Sequence, residues 1–276
     1  SDGALLADVE SIASSGVSWS PDGKRVAFGD YGKAVQILEP RGGRVVHELA
    51  GHPAKVHAVE WSPDGTRIVS ASEGELRVWD AASGVQIYEI AAHGRAVVSV
   101  SWSPDGARVA STDGVEMKVW DAAAGTLVQE LRGHTSAVLS LTWSPDGALL
   151  ASASQDGTIK LWNPERGTAV TLLDGGEASW LVFDDAGNFD GSVDAGAGLA
   201  MAQGNSVYAI DQLAPARNRP DKVLREHGAP EELAAFYEAL WLRRLGRLGL
   251  RPEQVSEDFS AAPTVRIVGE SPAEAG

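Results

Sequence analysis

The chain has 276 residues, of which 43% are hydrophobic and 22% are charged, a balance that is ordinary for a soluble globular protein. Its formal net charge of −15 repels phosphate backbones and argues against nucleic acid as the main partner. The absence of cysteine excludes disulfides, cysteine-ligated zinc and a thiol nucleophile together.

No apolar run approaches the roughly 18–20 residues that cross a bilayer. No basic stretch followed by an apolar segment suggests a signal peptide. We therefore expect a cytoplasmic protein with no membrane association. The chain begins at Ser1 rather than Met, which is compatible with a processed N-terminus.

In chain order, residues 1–15 are expected to be a partial upstream strand or a linker. The pentapeptide WSPDG then begins at Trp19, Trp61, Trp102 and Trp143, with spacings of 42, 41 and 41 residues. In each copy an alternating strand leads into Pro-Asp-Gly, whose residues favour a tight turn. Three further short strands follow before the next copy begins.

Four short strands in a repeat of about 41 residues cannot bury both of their faces alone, so neighbouring copies must stack. This period and strand count predict an all-β fold, a β-propeller whose four clear blades occupy residues 16–173.

Gly-His, WSPDG and Trp-Asp recur in register, and in these motifs residues 16–173 resemble the WD-repeat family. The resemblance implies a buried relay of His, Ser, Asp and Trp within a blade. The relay residues that it assigns are His52, Ser70 and Trp79 in the second copy, His93, Ser111, Asp113 and Trp120 in the third, and His134, Ser152, Asp156 and Trp162 in the fourth. Glu73 stands near the acidic position of the second copy. The first copy has no Gly-His and carries Ile37 in place of Trp, so we expect it to lack the relay.

The same His, Ser and Asp types also occur in hydrolase triads. A catalytic site is normally singular, whereas this set recurs in successive repeats, and a buried hydrogen-bond network accounts for it better. We therefore predict that the chain is not an enzyme and has no catalytic residue, cofactor or metal ion.

Residues 174–213 are predicted to form a degenerate fifth blade or a closing segment. SWLVF is typical of a strand, DDAGN of a turn, and LAMAQGNSVYAID of two strands around Gly-Asn. Acidic residues from Asp184 onward do not match the register of a calcium loop, so a solvated turn is the favoured interpretation.

Residues 214–276 are predicted to be a small helical extension with a terminal strand and a tail. Pro220 and Gly228 bound a short helix. Residues 231–248 have apolar side chains at helical spacing, which is compatible with docking on the propeller flank or with binding a partner. PTVRIVG is typical of an edge strand.

A second resemblance involves Phe189 to Ser192 and Arg219 to Asp221. It is to the region that follows the propeller in bacterial WD-repeat proteins, which often also carry a caspase-like peptidase domain. The chain itself has no cysteine nucleophile for such chemistry.

Four clear copies and one degenerate unit are fewer than the seven blades that the family resemblance makes commonest. Three interpretations stay open: another polypeptide supplies further blades, the chain is an excerpt of a longer one, or five blades close alone.

The favoured function is a non-catalytic scaffold or sensor that binds protein partners, one of which is a candidate for supplying the missing blades. The alternative is a regulatory or substrate-recognition subunit of a bacterial protease or defence effector. The partner-binding candidates are Lys55, Glu73, Arg95, Thr135, Gln155, Trp241 and Arg244.

Overall fold

A computed structural model describes residues 13–30, 32–176, 179–191, 199–203, 206–209, 217–226, 228–252 and 264–267. Contacts divide the chain into two units, one of residues 1–157 and 164–167 and one of residues 158–163 and 168–276. The predictions for residues 1–12, for Ser192 and for the tail at 268–276 lie outside the described residues.

The first unit contains three four-stranded antiparallel sheets and the first hairpin of the fourth copy. The first sheet has β1 (Ala13–Trp19), β2 (Val26–Asp30), β3 (Ala34–Glu39) and β4 (Arg44–Ala50). The second has β5 (Ala58–Trp61), β6 (Arg67–Ala71), β7 (Glu73–Asp80) and β8 (Gln86–Ala96). The third has β9 (Ser99–Trp102), β10 (Arg108–Thr112), β11 (Met117–Asp121) and β12 (Leu127–Leu131). The hairpin is β13 (Val138–Trp143) with β14 (Leu150–Ser154).

The SPDG turns link the first two strands of each copy through the same hydrogen bonds. In the second copy the Ser62 hydroxyl donates to Asp64 Oδ1 at 2.5 Å and accepts the backbone N–H of Arg67 at 2.9 Å. The hydrogen bond from Ser62 holds the pKa of Asp64 below its usual value. Gly65 adopts a φ of +71°, which glycine reaches without steric cost. Each residue of SPDG therefore has a structural role in the hairpin.

Adjacent sheets of the first unit share apolar cores. One cluster joins β2, β3 and β4 to the second sheet and includes Val35, Leu49 and Ile68. The next joins the second and third sheets and includes Val78 and Val109. A lone sheet would leave these faces in water, so stacking of successive copies provides the core.

The second unit contains β15 (Ile159–Asn163), β16 (Thr168–Gly176), β17 (Ser179–Asp184) and β18 (Phe189–Gly191), which pair antiparallel in that order. A three-stranded sheet has the order β20 (Ser206–Ala209), β19 (Leu199–Gln203) and β21 (Thr264–Ile267). The described part of this unit also has two helices, α1 (Pro220–Glu226) and α2 (Glu231–Arg247).

The predicted strand at SWLVF is present as β17, but it extends the sheet of β16 instead of starting a separate blade. Leu173 pairs with Leu181 across the hairpin. Only two residues separate β16 from β17, and so short a connection favours an antiparallel hairpin over a crossover to a new sheet.

Both predicted helices and the terminal edge strand are confirmed. α1 begins at Pro220, and Gly228 follows it with a φ of +71°. α1 lies against β16, β17, β18 and α2. The all-β, propeller-like fold class is likewise confirmed.

Candidate functional site

The second copy contains a complete four-residue relay. The Trp79 indole N–H donates to Ser70 Oγ at 2.7 Å, and Ser70 Oγ lies 2.6 Å from His52 Nε2. His52 Nδ1 lies 2.7 Å from Glu75 Oε1. Because Ser70 accepts from Trp79, its own proton is directed to His52 Nε2, and the imidazole proton then lies on Nδ1 and faces Glu75. Burial lowers the pKa of His52, in agreement with a neutral ring.

The acid of this relay is Glu75, not Glu73, which the sequence placed near that position. Glu73 is exposed and its carboxylate lies 3.5 Å from His57 Nε2. The second copy has one residue fewer than the fourth between the relay serine and the relay tryptophan. Glu75, the third residue of β7, has a longer side chain than aspartate and spans the remaining distance to the histidine. The relevant sequence signal is a carboxylate four residues before Trp79.

The fourth copy has the predicted histidine, serine and aspartate in contact. His134 Nδ1 lies 2.8 Å from Asp156 Oδ2, and His134 Nε2 lies 2.7 Å from Ser152 Oγ. The backbone N–H of Thr135 also donates to Asp156 Oδ2, at 3.0 Å. Trp162 belongs to the second unit, where it is buried.

The third copy joins three of its four predicted members. Ser111 Oγ lies 2.8 Å from His93 Nε2 and accepts the Trp120 indole N–H at 2.8 Å. Asp113 Oδ2 is 3.9 Å from His93 Nδ1, too far for a hydrogen bond. Asp113 instead accepts the backbone N–H groups of residues 115 and 116 at 2.9 and 2.8 Å, so it caps its own turn. His93 Nδ1 is buried without a hydrogen-bond partner.

Among the described residues, one group has the spacing of metal ligands: His93, Asp113 and Glu116. The Lys118 ammonium lies 2.9 Å from Glu116 Oε2. The ammonium already neutralises the charge of the Glu116 carboxylate, and its own positive charge repels a cation bound at the same place. Glu116 occupies the position that Glu75 has in the second copy, four residues before the tryptophan.

The first copy has an apolar core where the relay would lie. Ile37 and Phe28 are buried at the positions that Trp79 and Ser70 occupy in the second copy. The expected loss of the relay follows from these two replacements, since neither side chain can hydrogen-bond.

In the second, third and fourth copies, the tryptophan of WSPDG lies on the face of the sheet that packs against the preceding copy. The Arg25 guanidinium lies 5.0 Å from the Trp61 ring centroid, and that of Arg67 lies 4.7 Å from Trp102. These distances are typical of cation–π contacts. Arg67 also donates to the carbonyl of Ala122 at 2.9 Å. The arginine that follows the turn in the first and second copies therefore packs on the tryptophan of the next sheet.

Among the residues that the structure describes, none provides this cover for the tryptophan of the first sheet. Trp19 is 58% exposed, whereas Trp61, Trp102 and Trp143 are 4%, 4% and 8% exposed. Val17, two residues before Trp19 on β1, is exposed as well. Sequence reasoning missed this difference, because the four pentapeptides are identical.

Five of the predicted partner-binding residues lie at one edge of the sheets in the first unit, where even-numbered strands end and odd-numbered strands begin. They are Lys55, Glu73, Arg95, Thr135 and Gln155. Four of them are exposed and Lys55 is half-buried. Their use in partner binding stays a prediction.

The other two predicted partner residues belong to the second unit. Arg244 is exposed and donates to Asn218 Oδ1 at 2.8 Å. Trp241 is buried, with the Arg219 guanidinium 3.9 Å from its ring centroid. The prediction that its indole is exposed for partner binding is therefore wrong. Its position on the inner face of α2 explains the difference.

Arg219 and Asp221 form a buried bidentate pair with contacts of 2.8 and 2.6 Å. The backbone N–H of Arg219 donates to the carbonyl of Phe189 at 3.0 Å. The aromatic-Asp-Gly and Arg-Pro-Asp segments of the second resemblance are therefore in contact. Together with Trp241 they form the polar core under α2.

A family model described as WD domain, G-beta repeat matches residues 43–80, 84–121 and 125–163. These three repeats support a relationship to the WD-repeat family, whose repeats generally mediate protein–protein interactions in non-catalytic scaffolds. No curated protein matches the chain. Neither described helix has the length and apolar character that crossing a membrane requires.

Proposed function

We propose that this chain is a non-catalytic protein-interaction scaffold and that a blade from a partner protein covers the exposed face of its first sheet. The carrying observation is the exposure of Trp19, because the same tryptophan is buried against a preceding sheet in the other three copies. A large apolar side chain exposed beside Val17 is typical of a protein-binding surface.

The repeated contacts between sheets specify the chemistry of this partner. It presents a β-sheet with an arginine placed over the Trp19 ring, as Arg25 lies over Trp61. It also presents an acceptor to the β1 backbone, as Ser18 Oγ accepts the Trp61 N–H at 3.1 Å.

The relay geometry supports the absence of catalysis. Ser70 is fully buried, and its oxygen already accepts the Trp79 indole N–H. A nucleophile needs access to substrate, which this fully buried hydroxyl lacks. The recurrence of the arrangement in other copies supports a structural role.

Capture of the affinity-tagged chain from its native cells, followed by native mass spectrometry, tests the proposal. We expect a WD-repeat protein to be retained by the unmodified chain and by Trp180→Ser, a control at another exposed tryptophan. Trp19→Ser is expected to abolish retention. Equal capture by both variants would contradict a partner at the β1 face.

A second candidate is a regulatory or substrate-recognition subunit of a bacterial protease or defence effector. Its support is the contact between the Phe189 and Arg219 segments, which makes the resembling region one structural unit. A peptidase chain in the same capture experiment would favour this function, and its absence would count against it.

A further inference from the structure

Helix α2 has two apolar faces, only one of which is buried. Ala234, Trp241 and Leu245 form the inner face. On the outer side, Leu233, Phe236 and Leu240 are 43%, 58% and 39% exposed. At about 100° per residue, Phe236 lies about 140° around the helix from Trp241. The outer stripe is therefore a separate surface, not the margin of the buried face.

Charged residues extend this outer stripe at both ends. Glu232 precedes it in the first turn of α2, and Arg243 and Arg247 continue it at helical spacing toward the C-terminus. None of these three side chains forms an ion pair with another described residue. Arg225, in contrast, is already shared between Glu231 and Glu238. The stripe thus runs from acidic through apolar to basic.

Such a stripe is complementary to itself when a second copy lies antiparallel to it. Taking Leu240 as the midpoint, Glu232 lies about 12 Å before it and Arg247 about 10.5 Å after it along the axis. Reversal about Leu240 therefore brings the acidic end of each helix beside the basic end of the other. Antiparallel alignment also opposes the two helix dipoles favourably.

We propose that two copies of this chain associate through antiparallel α2 helices, with the twofold axis near Leu240. Phe236 then lies beside the basic end of the other helix, and the apolar side chains form the centre of the contact. The interface is isologous, because one patch meets itself. A single helix pair lies at the small end of protein interfaces, so we expect a dissociation constant on the order of 10 µM.

Sedimentation velocity on the full chain, from about 1 to about 200 µM, measures this dimer. Leu240→Ala is expected to raise the dissociation constant at least ~10-fold, a loss of about 1.4 kcal/mol. The matched control is Leu242→Ala, an exposed leucine of the same helix that lies about 200° away. It is expected to leave the dimer unchanged. Far-UV circular dichroism checks that each variant keeps its fold.

Charge reversal tests the antiparallel register. Glu232→Arg and Arg247→Glu are each expected to weaken the dimer by about 5–10-fold at low salt, and the double variant to restore it. A chain that stays monomeric throughout the range overturns the proposal, as does a dimer insensitive to Leu240→Ala. Failure of the double variant to recover the dimer overturns the antiparallel arrangement.

Discussion

Glu60 is expected to make the stability of the first unit depend on pH. It lies on β5 in the position that serine or threonine occupies in the other copies, directly before the tryptophan of WSPDG. Its carboxylate accepts the backbone N–H of Trp102 at 2.6 Å between the second and third sheets. Burial raises the pKa of Glu60 to about 7, although the hydrogen bond from Trp102 opposes the change.

The direction of the change in stability with pH depends on which state of the chain binds the proton of Glu60 more tightly. Between the ordinary value of 4.5 and about 7, the folded state holds a proton that the unfolded state has released. The free energy of unfolding therefore falls as pH rises through this window and levels off above about pH 7. The change in the pKa of Glu60 on folding corresponds to roughly 3 kcal/mol of unfolding free energy, since one pKa unit is worth about 1.36 kcal/mol. Glu60→Gln removes the titration and keeps an oxygen that can accept from Trp102.

Urea unfolding at about pH 5 and about pH 8 measures this difference. From about pH 5 to about pH 8 the unmodified chain is expected to lose about 2.5 kcal/mol of unfolding free energy through the titration of Glu60, a loss that Glu60→Gln does not show. Glu48→Gln, at an exposed carboxylate of β4, is expected to keep this loss. A stability difference between Glu60→Gln and the unmodified chain that is constant with pH would refute the reasoning.

Three further predictions concern the buried polar groups and one turn. Ser70→Ala is expected to cost about 2–4 kcal/mol in urea unfolding, because His52 and Trp79 both lose their partner, whereas Ala at exposed Ser83 costs less than about 1 kcal/mol. Gly74→Ala is expected to lower the melting temperature more than Gly157→Ala. Both glycines have φ near +75° to +80°, so the backbone strain is similar. At Gly74, however, the new Cβ would lie 2.6 Å from the carbonyl oxygen of His93, whereas at Gly157 it would meet nothing. Asp221→Ala is expected to cost about 3–5 kcal/mol in the second unit, because it leaves the buried Arg219 charge without its bidentate partner; a loss under about 1 kcal/mol in circular dichroism melts would contradict this.

The hairpin turns and strands of the repeats could be predicted from the sequence, because their signals are local. Pro-Asp-Gly at Gly65 and its counterparts specifies the turn wherever it occurs. Alternating side chains on either side specify the strands. The ends of α1 could be predicted from Pro220 and Gly228, because proline at a helix start and glycine after a helix end are also local signals.

The relay was predictable only in part. The histidine and serine recur 18 residues apart in three copies, and the tryptophan follows the serine by 9 or 10 residues, so their positions follow from the repeat. The acid does not, because its contact depends on the length of one turn. The shorter turn gives the role to Glu75 in the second copy, and in the third it leaves Asp113 3.9 Å from His93.

The sequence by itself determined the period, the number of strands in each copy and the turns between them, because each depends on a few neighbouring residues. The tertiary structure decided which identical motifs are buried. Trp19 and Trp61 occupy the same pentapeptide, yet within the described part of the chain a sheet and an arginine cover Trp61 while Trp19 is exposed. It likewise placed Trp241 inside and Phe236 outside on one helix. Burial depends on what lies across the face, and residues distant in the chain supply that cover.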